Sequence, residues 1–149
     1  MKLLLRLRGP LAGVWLGIVL CLAFMATPVA FALMERSQAG QLAGQLFRTE
    51  ARLALGLAML LFVVERTWAA RRAEQGQGSR LTVNLMLVLG CLFCTVLGYF
   101  ALQPMMEAAR AGQGRFSFGA LHGASSAFFA LKGLLLLVYL WRLSAPVPA

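Results

Sequence analysis

The sequence predicts an all-α integral membrane protein, a four-helix bundle with a short interfacial helix between its first two spans. Three observations predict it. The 149 residues are 60% hydrophobic and only 13% charged, whereas soluble domains run to about half apolar and about one quarter charged. Long stretches carry no charge at all, notably Gly9 to Met34 and Leu81 to Met106. The basic residues fall in the short segments between such stretches, as the positive-inside rule produces. That distribution also argues against reading the net charge of +9 as a nucleic-acid footprint, which would gather the arginines on one soluble face.

The first span is expected at about residues 10–34. Its uncharged run of 26 residues makes a helix of about 39 Å, enough to cross a hydrocarbon core of about 30 Å with tilt. "MKLLLRLR" ahead of this run, with Ala30 and Ala32 in an A-x-A pattern, mimics a secretory signal. The run is nearly twice the usual length of such a region and continues through Leu33 and Met34, so a retained span is expected. Residues 36–47 carry Ala39, Leu42, Ala43, Leu46 and Phe47 at helical spacing beside Gln41 and Gln45, which reads as an interfacial helix. The second span is expected at about 51–70, where Arg52 and Arg66 can snorkel away from the short uncharged stretch Leu53 to Val64. The third is expected at about 81–106 and the fourth at about 116–141. The connections "RRAEQGQGSR" and "EAARAGQGR" are short, polar and rich in glycine, as turns are. The whole chain, 1–149, reads as a single membrane domain.

Orientation follows from the basic residues. Lys2, Arg6, Arg8, Arg66, Arg71, Arg72, Arg80 and Arg142 fall on one side and Arg36, Arg48, Arg52, Arg110 and Arg115 on the other. Eight against five places both termini in the cytoplasm. Arginine outnumbers lysine, and alanine, glycine and leucine abound, as in a GC-rich bacterial gene; the expected location is the bacterial inner membrane.

Small residues recur every four positions: Gly9, Gly13 and Gly17 on span one, Gly90 and Gly98 (with Cys94 between) on span three, Gly119 and Gly123 on span four. In lipid, helices associate where small faces let backbones approach, so these rows are expected to face inward. Taking His122 as the reference on span four, Gly119, Gly123, Ser125, Ser126 and Lys132 fall within about 100° of it, and Leu121, Phe128, Leu131 and Leu135 opposite. The small, polar side is expected to face protein. By depth, His122, Ser125 and Ser126 then share a polar layer with Thr27, Tyr99 and Gln103. An intramembrane histidine is a functional candidate by default. The favoured expectation is nevertheless a neutral group satisfied by a neighbouring hydroxyl or carbonyl, holding helices together. Lys132 is expected to snorkel towards the cytoplasmic headgroups, with Glu65 its nearest plausible partner.

The chemistry classes narrow quickly. No glycine-rich phosphate loop, carboxylate pair or serine–histidine–aspartate set stands in the sequence, and the absence of aspartate closes several of those routes. Cys91 and Cys94 share a helix face, yet two further ligands for a soft metal are missing, and both are expected as packing residues. Cys21 also lies in an apolar run, and no disulfide framework is implied. No enzyme activity, cofactor or metal is expected, and nucleic acid is not an expected partner. The expected partners are the lipid bilayer and, through helix–helix association, a second copy or another membrane protein. The alternative function is a small transporter or channel for a proton, metal ion or small solute, using the layer around His122.

Three stretches resemble a known family. "GVWLGIVLCLAFMATPVAFALMERSQAGQLAGQLF" has a G-x-W-x-G opening, a proline three residues before a phenylalanine, and an alanine-glycine segment ending in Leu46 and Phe47. "YFALQPMMEAAR" carries Pro104 and Arg110, and "FGALHGASS" carries an F-x-x-L-H-G-x-S pattern at Phe118, Leu121, His122, Gly123 and Ser125. Together these resemble the transmembrane protein 205-like family, known in bacteria as domain of unknown function 4149, over about Gly13 to Leu140. The resemblance implies a four-span membrane protein without an assigned reaction, whose animal members are associated with resistance to a platinum drug. Many members place asparagine or another polar residue where Phe129 stands here.

Overall fold

Spans three and four open, and spans two and three close, on identifiable local chemistry. Thr82 Oγ1 accepts from the Leu85 amide at 3.2 Å, and Ser117 Oγ from the Ala120 amide at 3.3 Å, so both later spans open on a side-chain cap. Two helices close on the same glycine device. Gly76 (φ 71°) and Gly112 (φ 72°) take the left-handed conformation. The next amides, Gln77 and Gln113, reach back to Arg72 and Ala108 carbonyls at 2.8 Å, satisfying carbonyls that the helix end leaves open. A repeated "GQG" in the two connections is the sequence signature of this device.

The computed structural model describes residues 2–144, with side chains from residue 5 onward. The side chain of Lys2, counted above for orientation, lies outside the described part. Span one is α1, Lys2–Cys21, continued by a π-helical turn, Leu22–Ala26, into α2, Thr27–Leu33. Span two is α3, Arg36–Glu74. Span three is α4, Val83–Thr95, then a second π-helical segment, Val96–Ala101, and α5, Leu102–Arg110. Span four is α6, Phe118–Ser144. All four are long and apolar enough to cross a membrane. Residues 36–47 are helical, but they run into span two without a break, as one helix of 39 residues. The reason is visible in its buried face: Ala39, Ala43, Ala51, Ala54, Ala58, Leu61 and Ala69 recur at helical spacing along its length, and Ala39 and Ala43 keep the first turns against the rest of the protein instead of lying along its surface.

The spans pack in a ring: one against two and four, three against two and four. Two and four therefore face each other diagonally. The core between them contains Ala12, Trp15, Leu16 and Val19 from α1, Ala54, Ala58 and Leu61 from α3, Val88 and Cys91 from α4, and Leu136 and Tyr139 from α6.

Close approach uses only part of the small-residue rows. A methyl group at Gly98 would stand 2.6 Å from Phe128 Cβ, an atom fixed to its backbone, so this glycine is required by the contact with span four; one at Gly90 would stand 2.9 Å from a Leu135 methyl, which the leucine side chain can turn aside. At Gly9, Gly13, Gly17, Gly119 and Gly123 it would meet nothing within 4 Å, contrary to the inward-facing rows expected. Span one turns Trp15 and Ala12 inward instead, into a core that they share with Ala54 and Ala58 of α3.

Candidate functional site

Two charged clusters occupy the centre, and neither is built around His122. In the first, Lys132 Nζ donates to both carboxylate oxygens of Glu50, at 2.7 and 2.8 Å, and Trp15 Nε1 donates to Glu50 Oε1 at 3.2 Å. Lys132 and Glu50 are each only 3% exposed. The ammonium also lies 4.7 Å from the centre of the Phe129 ring, which Phe47 of α3 meets edge-on. Spans one, two and four thus converge on one ion pair, the geometry in which a buried charge is tolerated.

The second cluster lies towards the end that carries the termini. Glu65 is fully buried. Its Oε1 accepts from Arg8 Nη1 at 2.9 Å and from Tyr139 Oη at 2.7 Å, and its Oε2 has no partner among the described residues. The Arg8 guanidinium rests 5.3 Å from the Trp68 ring centre, a cation–π contact that helps hold it inward. The same three spans supply this cluster. Along span one its cation and the Trp15 of the first cluster are seven residues apart, and along span four Tyr139 and Lys132 are seven apart. Two helical turns return a side chain to nearly the same face. That spacing was the available signal for both clusters.

Lys132 therefore does not snorkel to the surface, and its partner is Glu50 and not Glu65. Because α3 is a single continuous helix, Glu50 is carried inside beside Trp15, leaving Glu65 to Arg8 and Tyr139. The remaining candidates are scattered. His122 is exposed and stacks on Phe118 with ring centres 5.7 Å apart; Phe118 in turn lies under the Arg110 guanidinium at 4.5 Å. Ser126 is exposed beside it. Ser125 alone bridges helices, donating to the Gly98 carbonyl at 2.6 Å, within the π-helical segment of span three. Gln103 donates to Glu107 on its own helix at 3.3 Å, Tyr99 meets Phe100 edge-on, and Thr27 Oγ1 finds no partner among the described residues. The expected polar layer does not assemble, because the inward face of α6 is centred on Leu121, Lys132, Leu136 and Tyr139, about 80° around the helix from His122.

Cys91 and Cys94 are buried, and Cys91 Sγ lies 3.9 Å from the Lys132 carbonyl oxygen. Thr95 donates to the Cys91 carbonyl at 2.9 Å. Among the described residues no three histidine, cysteine or carboxylate side chains gather in a way that could hold a metal ion.

Ring packing, membrane-length helices and two internal ion pairs define the class: a small multi-pass helical membrane protein with charges reserved for its interior. The chain belongs to the family described as domain of unknown function (DUF4149), which it matches over residues 11–115. The match contains Trp15, Glu50 and Glu65 and ends before α6, which carries Lys132, Tyr139 and His122. No curated protein and no solved structure shows significant similarity to the chain.

Proposed function

We propose that the chain is a non-enzymatic protein of the bacterial inner membrane, with both termini in the cytoplasm, that acts through helix–helix association with a second copy or another membrane protein. We also place it with the transmembrane protein 205-like proteins, on the F-x-x-L-H-G-x-S pattern of α6. The observation that supports association most directly is the outward face of α6. Gly119, His122, Gly123 and Ser126 are all exposed there, and methyl groups at the two glycines would meet nothing within 4 Å. In lipid, a face of small residues lets another helix approach closely, and a serine or imidazole on it gains a hydrogen-bond partner only when a neighbour arrives. The two ion-pair clusters give this face a rigid backing, since each ties span four to spans one and two.

Conduction through a layer around His122 draws no support from this packing. The imidazole is exposed, while Leu61, Val88 and Leu136 are buried in the apolar core.

The experiment is chemical cross-linking in native membranes of wild type, His122→Ala and Gly123→Leu, with thermal stability measured in parallel. The reading expects a specific cross-linked species, a dimer or a defined hetero-complex, that both variants lose while their melting temperatures stay near wild type. A wild-type protein that remains uncross-linked, or variants that cross-link as well as wild type, would overturn it.

A further inference from the structure

The face of α3 opposite Glu50 poses a problem that the buried clusters do not. Gln41, Gln45, Arg48 and Arg52 are exposed, and at about 100° per residue they lie within about 60° of one another, a single polar strip. Its depth is fixed by its neighbours. Glu50, between the two arginines in sequence, bonds Trp15, which lies well inside the uncharged run Gly9 to Met34. At comparable depth the other spans turn Leu20, Phe93 and Leu131 outward. Beyond Arg52 the strip becomes apolar, with Met59 and Val63 exposed, until Arg66. Arg52 to Arg66 is 14 residues of helix, about 21 Å, against the roughly 30 Å of a hydrocarbon core. The apolar belt is therefore about one third too short on this side only.

A polar strip that faces hydrocarbon is covered or wetted, and its chemistry selects the occupant. Neither Arg48 nor Arg52 has an ion-pair partner among the described residues. The exposed carboxylates Glu35, Glu74 and Glu107 lie at helix ends, so a second copy brings no acid to this depth. At the end of the molecule where α2 meets α3, the strip opens into a cavity of about 350 Å³ lined by Arg36, Ser37, Gly40, Gln41 and Arg110. Two more guanidinium groups thus stand at its mouth, and Gln41 belongs to both.

We propose that this strip binds the phosphate-bearing headgroup of a membrane phospholipid, anionic in preference to zwitterionic, drawn below the surface along Gln41, Gln45, Arg48 and Arg52 where the bilayer thins to meet the short apolar belt. Guanidinium groups match phosphate oxygens through paired N–H donors. The glutamine amides donate to the ester oxygens, and the acyl chains stay in the bilayer, so no apolar cradle is required. Local thinning is the ordinary response to a hydrophobic stretch shorter than the membrane. The site lies on span two, diagonally across the ring from the α6 face, and is independent of the association proposed for that face.

The test uses the full chain reconstituted in phosphatidylcholine vesicles containing spin-labelled phosphatidylglycerol or spin-labelled phosphatidylcholine, reading the motionally restricted lipid fraction. Wild type is expected to hold phosphatidylglycerol preferentially. Arg48→Gln and Arg52→Gln should each reduce the preference by about fivefold, the factor for about 1 kcal/mol per basic residue at an anionic surface. Arg71→Gln, at the far end of α3, should leave it unchanged. Excess inorganic phosphate should not displace the lipid; displacement would mean a site for free anions and overturn the proposal, as would equal preference in wild type and variants. A photoreactive benzophenone side chain replacing Gln45 supplies the second readout: cross-links to lipid support the proposal, and cross-links to a second copy or another protein overturn it.

Discussion

Glu50 and Lys132 stand 82 residues apart in the chain and meet through both carboxylate oxygens, joining two helices that lie diagonally across the ring. Spans two and four are not packed neighbours in this arrangement. Long polar side chains cross the gap that their backbones leave, once through this pair and again through Glu65 and Tyr139. Both carboxylates belong to α3, so this helix holds the acceptors of the two clusters while spans one and four supply the donors.

Lys132→Met removes the ammonium and leaves Glu50 buried beside an indole. The expected loss is about 3–5 kcal/mol of stability, read by thermal or denaturant unfolding in detergent micelles. Combining it with Glu50→Leu should recover most of the loss, because replacing both partners of a buried pair by apolar groups is close to neutral. Equal destabilisation in the single and double variants would show that the pair is not what the lysine is held by.

The second cluster makes an ordered prediction. Arg8→Met leaves the Glu65 carboxylate without a counter-charge and should cost about 3–5 kcal/mol. Tyr139→Phe removes one hydrogen bond to the same oxygen and should cost about 1–3 kcal/mol. Unfolding measurements should rank Arg8→Met as the more damaging of the two.

Glycine positions separate in the same way. Gly98→Ala places a methyl against Phe128 Cβ, an atom fixed to the backbone of α6, and should cost about 1–3 kcal/mol. Gly123→Ala and Gly13→Ala, with open space around them, should stay within about 0.5 kcal/mol of wild type. Comparable losses at all three sites in the isolated protein would contradict this packing.

His122→Ala should likewise leave the unfolding midpoint of the isolated protein within about 0.5 kcal/mol of wild type, since the imidazole is exposed and touches mainly Phe118. A large loss would mean that the histidine is held inside the fold.

The four spans were legible because uncharged runs of membrane length leave little choice. The faces were not. On α6 the small residues Gly119 and Gly123 suggested the inner side, but the inner side is defined by what must be hidden from lipid, and Lys132 with its carboxylate partner outweighs two glycines. Glu50 escaped notice because its surroundings, "FRTEAR", read as a polar connection. Only the continuity of α3, with its buried row of small residues from Ala39 to Ala69, carries it to the level of Trp15. Where a glycine row and a close contact coincide, as at Gly90 and Gly98, the sequence pattern was sufficient. The π-helical segments of spans one and three interrupt the regular 100° step and displace any face counted across them.

The division of partners among the spans also sets an order of assembly during synthesis. Glu65 can meet Arg8 as soon as the first two spans have left the ribosome, but Glu50 has no cation until span four follows. For that interval the nascent protein carries a carboxylate in its interior with only the Trp15 indole to bond it. A chain that stops short of α6 keeps that carboxylate without its cation, and its first three spans lack the contact that joins them to the fourth. The last helix to be made is the one that closes the account of the second.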